Sequence, residues 1–116
     1  MSKQLQERVI RDAKDRIRTA KSYLAEFADK IKQSPAHTLY WGEQAFQQAA
    51  TVDVMENCVT LLERGDSLEK VRDYFYRSAY STALTNGRST SACSDLLDRY
   101  RGMACVRAVD FVGSYL

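Results

Sequence analysis

Apolar side chains recur from residue 10 to residue 31 at alternating steps of three and four. No other pattern in the chain limits its fold as much. Ile10, Ile17, Leu24 and Ile31 occupy one heptad position, and Ala13, Ala20 and Phe27 the other. Such a stripe runs along one side of a continuous α-helix, and neither Gly nor Pro interrupts it before Pro35. An isolated helix has nothing to bury this seam against, so another helix must cover it, from the same chain or from a second copy. Ala13 and Ala20 are small enough to let that helix approach closely. A homodimer through Ile10, Ile17, Leu24 and Ile31 is therefore one expectation.

The remaining punctuation is that of helices joined by short connections. A first helix is expected over about residues 3–33, roughly 45 Å at 1.5 Å per residue. Ser34 can cap a second helix with Pro35 at its first position. Gly42 weakens that start, so the firm part of the second helix is about 41–64. Its apolar face is Trp41, Ala45, Ala49, Val52, Met55, Val59 and Leu62. Gly65 suits the left-handed position that ends a helix, and Asp66 with Glu69 forms an Asp version of a capping box for a third. That helix reaches about Leu84 and turns Leu68, Val71, Phe75, Ala79 and Thr82 inward. After the polar loop 85–91, a fourth helix begins near Ser91 or Ser94 and runs to Val112, with Leu97, Tyr100, Ala104 and Phe111 inward and Gly113 as its stop. No stretch alternates like a strand. The expected fold is all-α: an antiparallel bundle of three to four helices with a long N-terminal helix, one domain over residues 1–116.

Composition narrows the class further. Charged residues make up 28% of the chain and apolar ones 45%, which fits a soluble globular domain rather than a disordered one. The longest apolar runs are a few residues, too short to span a membrane, and Met-Ser-Lys-Gln opens the sequence without an apolar export segment. Cys58, Cys93 and Cys105 are odd in number and unpaired in spacing, so they are expected as reduced thiols in a cytoplasmic protein.

Net charge is +2, but residues 1–33 hold nine Lys/Arg against five Asp/Glu, whereas the rest holds eight against ten. Beside the apolar seam runs a basic stripe, Arg11, Lys14, Arg18 and Lys21. Lys14 and Arg18 repel each other at that spacing, so solvent, an acidic neighbour or a ligand must make the stripe tolerable. Attraction between the two halves of the chain, within the fold or across a dimer, is the simpler account. The sharper one is a polyanion, to which such a stripe would give affinity without sequence reading. Elsewhere on the same helix Glu7–Arg11, Asp12–Arg16 and Glu26–Lys30 stand at helpful i,i+4 spacing.

Groups that do chemistry are sparse. His37 is the lone histidine and sits in a turn, where a surface or capping role suffices. One His with scattered Cys makes a poor metal set, and no phosphate loop or dinucleotide fingerprint is present, so no metal or cofactor is expected. Cys58 borders a core face and is expected to be structural. Cys93, near a helix start, is the candidate reactive thiol but lacks an evident base. Arg64-Gly65-Asp66 is accounted for as a helix end followed by a cap. An enzyme is not expected.

Two features invite a binding role. The 87–91 loop carries Arg88 and Ser89 ahead of a helix start, a fair cradle for an anion, although a solvated turn with a serine cap explains it more simply. On the third helix Arg72, Tyr76, Tyr80 and Leu84 form an i,i+4 ridge roughly a quarter-turn from the core face. A second buried face is the simpler account of that ridge; exposed, it has the composition of an interface hot spot. Aromatics also cluster where Leu39, Tyr40 and Trp41 open the second helix. In general character, short, helical and poor in catalytic groups, the chain resembles small accessory and inhibitor proteins of phages and mobile elements. The leading expectation is a non-enzymatic protein that docks on a macromolecular partner, most readily a protein. One alternative is a nucleic-acid or nucleotide binder using Arg11, Lys14, Arg18, Lys21, Arg88 and Ser89. The other is a structural homo-oligomer assembled through the first helix.

Overall fold

The computed structural model describes residues 2–85 and 92–116, with side chains over 2–81 and 97–116. It is an all-α bundle of four helices among the described residues: α1 (Lys3–Gln33), α2 (Thr38–Glu63), α3 (Leu68–Thr85) and α4 (Ala92–Gly113). Together they fill an envelope of 50 × 33 × 20 Å. No helix among the described residues is long and apolar enough to cross a membrane.

The chain makes two helical hairpins. The first, α1 with α2, is the longer, and its connection follows the punctuation closely. Ser34 ends α1, Pro35 opens a single 3-10 turn (Pro35–His37), and α2 starts at once at Thr38, three residues before its expected firm part. Ser34 Oγ and His37 Nδ1 share a 2.6 Å hydrogen bond, so the lone histidine serves the turn. Gly65 lies at φ +99°, the left-handed geometry expected after a helix end. The cap of α3 is one residue later than the sequence suggests. Ser67 Oγ accepts from Lys70 N at 3.2 Å, while Asp66 is held by Arg64 Nη2 at 2.5 Å instead of capping. Both carry a physical trace: Arg64 holds the Asp66 carboxyl below the usual carboxylate range, and Asp66 raises Arg64 in turn.

The core sits at the base of the long hairpin. Val9 and Ala13 of α1 join Val54, Met55, Cys58, Val59, Leu61 and Leu62 of α2, Leu68, Val71 and Phe75 of α3, and Ala104, Cys105, Ala108, Phe111 and Val112 of α4. α2 buries two faces because α1 lies on one side and the α3–α4 hairpin on the other. That is why Val54, Cys58 and Leu61, off the expected apolar face, are buried with Met55, Val59 and Leu62. Tertiary hydrogen bonds lock the same end. Gln6 Nε2 donates to the Leu62 carbonyl at 2.5 Å, and Tyr115 Oη donates to Asp12 Oδ2 at 2.5 Å. The guanidiniums of Arg8 and Arg16 lie 5.5 and 4.7 Å from the ring centres of Tyr115 and Phe111.

Three expectations are corrected here. Ile10 and Ile17 pack against the core of their own chain, and Ala13 and Ala20, which alternate with them, are fully buried, so α2 covers this part of the seam and no second copy is needed for it. Leu24 and Ile31 continue it half-buried along the same hairpin. Leu97 does not turn inward. It is exposed at the edge of a shallow groove with Phe46 and Ala50, where α4 meets only one flank of α2. The helix-surface pairs also give way to tertiary partners: Arg11 turns to Asp12 at 3.6 Å, Arg16 to the Phe111 ring, and Lys30 to the Trp41 ring at 5.0 Å.

Candidate functional site

α3 buries Leu68, Val71 and Phe75 against the rest of the bundle, so residues a quarter-turn away must either meet another element or face outward. They face outward. Tyr76 is 64% exposed and Tyr80 61% exposed, which overturns packing as the account of this ridge. Arg72 stands beside them half-buried, its Nε 3.9 Å from Asp73 Oδ1. Leu84 lies where side chains are outside the described residues. Across from the tyrosines α4 presents Val106 and Val109, and with Ala79 these five side chains line a hollow of 340 Å³ between the two helices. Val106 and neighbouring Met103 are themselves exposed. The α4 half of this face was missed from the sequence. Its signal is a second apolar line, Met103, Val106 and Val109 at steps of three, overshadowed by the stronger inward line through Tyr100, Ala104, Ala108 and Phe111.

This surface has the anatomy of a docking site. Two tyrosines offer large rigid area with hydroxyls that stay wet, and no charged side chain among the described residues lines the hollow beside them. A further hollow of 480 Å³ lies on another flank of α3, lined by Tyr74, Arg77, Ser78, Ser81 and Arg101. Its polar groups are engaged inside the fold. Arg101 Nη1 is 3.2 Å from Asp53, Arg77 Nε donates to the Asp73 carbonyl, and Tyr74 Oη accepts from Asn57.

The basic stripe of α1 is tolerable because carboxylates face it. Lys14 lies 3.6 Å from Glu63 and Lys21 3.5 Å from Glu56, both on α2, while Arg18 pairs with Asp15 at 2.7 Å and Arg11 with Asp12 at 3.6 Å. Each cation thus has an anionic neighbour, and the stripe and the other half of the chain attract within one fold. These pairs are largely exposed, so each contributes well under about 1 kcal/mol, but together they lower the field a polyanion would meet. Arg88 and Ser89, and with them the 87–91 cradle, lie outside the described residues, as does the Cys93 side chain.

Among the described residues the perturbed groups are held by burial and by contacts within the fold. Burial pushes the Cys58 thiol up to about 12 and raises Cys105, so neither is a ready thiolate. The Glu43 carboxylate accepts from Tyr100 Oη and raises that phenol. Burial, then the Asp12 hydrogen bond, pushes Tyr115 up to about 12, while the same bond holds the Asp12 carboxyl low. The two hydrogen bonds tie distant parts of the chain together, α4 to α2 and the C-terminal turn to α1. Among the described residues no three His, Cys, Asp or Glu side chains are grouped as a metal site.

The far end of the long hairpin carries a second exposed apolar region. Tyr23 stacks on Phe27, Phe27 on Trp41, and Tyr40 meets Trp41 edge-on, with ring centres 6.0, 5.6 and 4.7 Å apart. Only Phe27 and Trp41 of these are half-buried; Leu39, Tyr40 and Tyr23 are exposed. Aromatic clustering at 39–41 was the sequence signal for it.

No family model, curated protein or solved structure matches this chain.

Proposed function

We propose that this chain is a non-enzymatic helical binding protein that docks on a protein partner through the α3–α4 face and alters that partner's activity, as small accessory and inhibitor proteins of phages and mobile elements do. One observation carries the reading: Tyr76 and Tyr80 stand exposed along the α3 edge of an apolar hollow completed by Ala79, Val106 and Val109. Exposed apolar hollows flanked by tyrosines are what protein interfaces bury at their centres. Tyr100 and Tyr115 are engaged in contacts that hold one part of the fold against another, with Glu43 and Asp12, which supports binding rather than catalysis.

The test is capture from an extract of cells that express the chain, followed by affinity measurement with the purified partner. Tyr76→Ala with Tyr80→Ala should weaken binding by about 30-fold or more, since central hot-spot side chains each contribute about 2 kcal/mol. Helicity and melting should be unchanged, because both rings are already in water. A partner held equally well by the double variant removes this face from the proposal. Nucleic acid is the weaker reading, because Glu56 and Glu63 already face Lys21 and Lys14. Binding that falls steeply with salt and is lost on Lys14→Ala with Lys21→Ala would reverse that preference.

A further inference from the structure

We propose that Arg16 of α1 and Arg107 of α4 form a binding site for a phosphoryl group, the tetrahedral dianion of a phosphate or phosphate monoester. Where the two helices meet, Arg16, Arg107, Asp110, Phe111 and Ser114 line an open hollow of 270 Å³. Arg107, Phe111 and Ser114 follow one another at steps of four and three, so they share one side of the last turns of the chain. Arg16 meets them from the other helix, its guanidinium carbon 4.7 Å from the centre of the Phe111 ring. The site shares no lining residue with the Tyr76/Tyr80 hollow and does not depend on docking there.

These two arginines differ from the cations of the basic stripe in having no counter-charge. Arg11, Lys14, Arg18 and Lys21 each face a carboxylate, whereas among the described residues none stands within ion-pair distance of Arg16 or Arg107. The neighbours explain this. Asp12, one turn before Arg16, accepts from Tyr115 Oη at 2.5 Å and faces Arg11 at 3.6 Å, so it is already committed. The Phe111 ring holds the Arg16 cation in place but brings no charge to neutralise it. Arg8 stands likewise over Tyr115, two turns before Arg16 on the same side of α1, and adds to the positive field. A guanidinium is a planar fork of five donors without an acceptor, and a carboxylate, with two oxygens and one charge, satisfies only one such fork. A phosphate monoester brings three terminal oxygens and about 1.5 to 2 negative charges at neutral pH, enough for two. The lining is net positive, two arginines against Asp110, so attraction grows with the charge of the anion. Ser114 Oγ donates to the Phe111 carbonyl at 2.7 Å, which leaves the arginines to hold the ligand.

Arginine Nε–H resonances of the intact chain, followed by NMR at neutral pH and fixed ionic strength, test this with two probes. One is inorganic phosphate and the other a short capped phosphoserine peptide. The Arg16 and Arg107 signals should move along one saturating curve while Arg18, paired with Asp15, stays in place. Arg107→Gln, at an exposed position, should weaken binding by about tenfold or more through lost charge-assisted hydrogen bonds. Asp110→Asn should tighten it by about threefold, because a like charge leaves the lining. Saturation at lower peptide than phosphate concentration supports the site with an esterified ligand, and the reverse order supports it with the free ion. Shifts that rise linearly and alike at every arginine overturn the proposal. So does the absence of any shift with either probe, or an affinity that Arg107→Gln leaves unchanged.

Discussion

The two ends of the α1–α2 hairpin are built from the same helical pattern and have opposite fates. At the base, Val9, Ala13, Met55, Cys58 and Leu62 are fully buried. Toward the connection, no residue of α1 beyond Ala20 and none of α2 before Val54 is fully buried, although Tyr23, Phe27, Tyr40, Trp41 and Phe46 all lie there. The richer apolar composition is thus at the end with the poorer burial. Two helices in contact can shield only the strip between them. A third and fourth are needed to close the flanks, and α3 and α4 are 18 and 22 residues against 31 and 26 in the long hairpin. Burial in a bundle is decided by how many neighbours reach a given level, and hydrophobicity alone does not supply them.

The contrast can be broken most severely at the base. Phe75→Ala should destabilise the protein by about 3–5 kcal/mol and Leu62→Ala by about 2–5 kcal/mol in urea unfolding, because both side chains are fully enclosed. Phe46→Ala and Leu39→Ala, at the open end, should stay within about 1 kcal/mol of wild type. Equal losses at both ends would mean that the open end is packed in solution. Gly65→Ala comes next. Its φ of +99° strains any Cβ-bearing residue, so about 1 kcal/mol should be lost although nothing crowds the position.

A smaller effect, with a pH signature, belongs to the Tyr115–Asp12 bond that ties α4 to the base of α1. Asp12 has a lowered folded pKa, so its contribution is complete above the unfolded carboxylate value of about 3.9 and is lost as pH falls through the lower folded one. Tyr115 is raised to about 12, so its contribution is complete below the unfolded phenol value and is lost as pH rises toward 12. The stability gap between wild type and Tyr115→Phe should therefore be widest at neutral pH and close in both strong acid and strong base. A gap independent of pH would assign the loss to packing instead. Smallest of all, Lys14→Ala and Lys21→Ala should each cost within about 0.5 kcal/mol, and that cost should vanish in high salt.

Much of this architecture is legible in local sequence signals. The span of α1, the Ser34-Pro35 break and the left-handed Gly65 follow from periodicity and cap chemistry, which involve neighbours a few residues apart. The inward face of α3 as far as Ala79 and that of the last turns of α4 follow for the same reason, while the Thr82 side chain lies outside the described residues. The choice between Asp66 and Ser67 as cap went the other way, because Arg64 competes for the Asp66 carboxylate and leaves the role to the serine. Tyr76 and Tyr80 were legible as a ridge but not as an exposed one, and Val106 and Val109 were not legible as its companions.

By itself, then, the sequence determined that the chain is helical, where its helices stop, and that the seam through Ile10 and Ile17 must be covered. These are consequences of a 3.6-residue repeat and of backbone groups satisfied within a turn or two. Only the tertiary structure decided that the covering helix is the chain's own α2, and that Glu56 and Glu63 meet the basic stripe. It also decided which aromatic side chains remain in water. Each of those outcomes depends on which helix lies beside which and how far along it reaches, a relation between residues distant in sequence that no local period encodes.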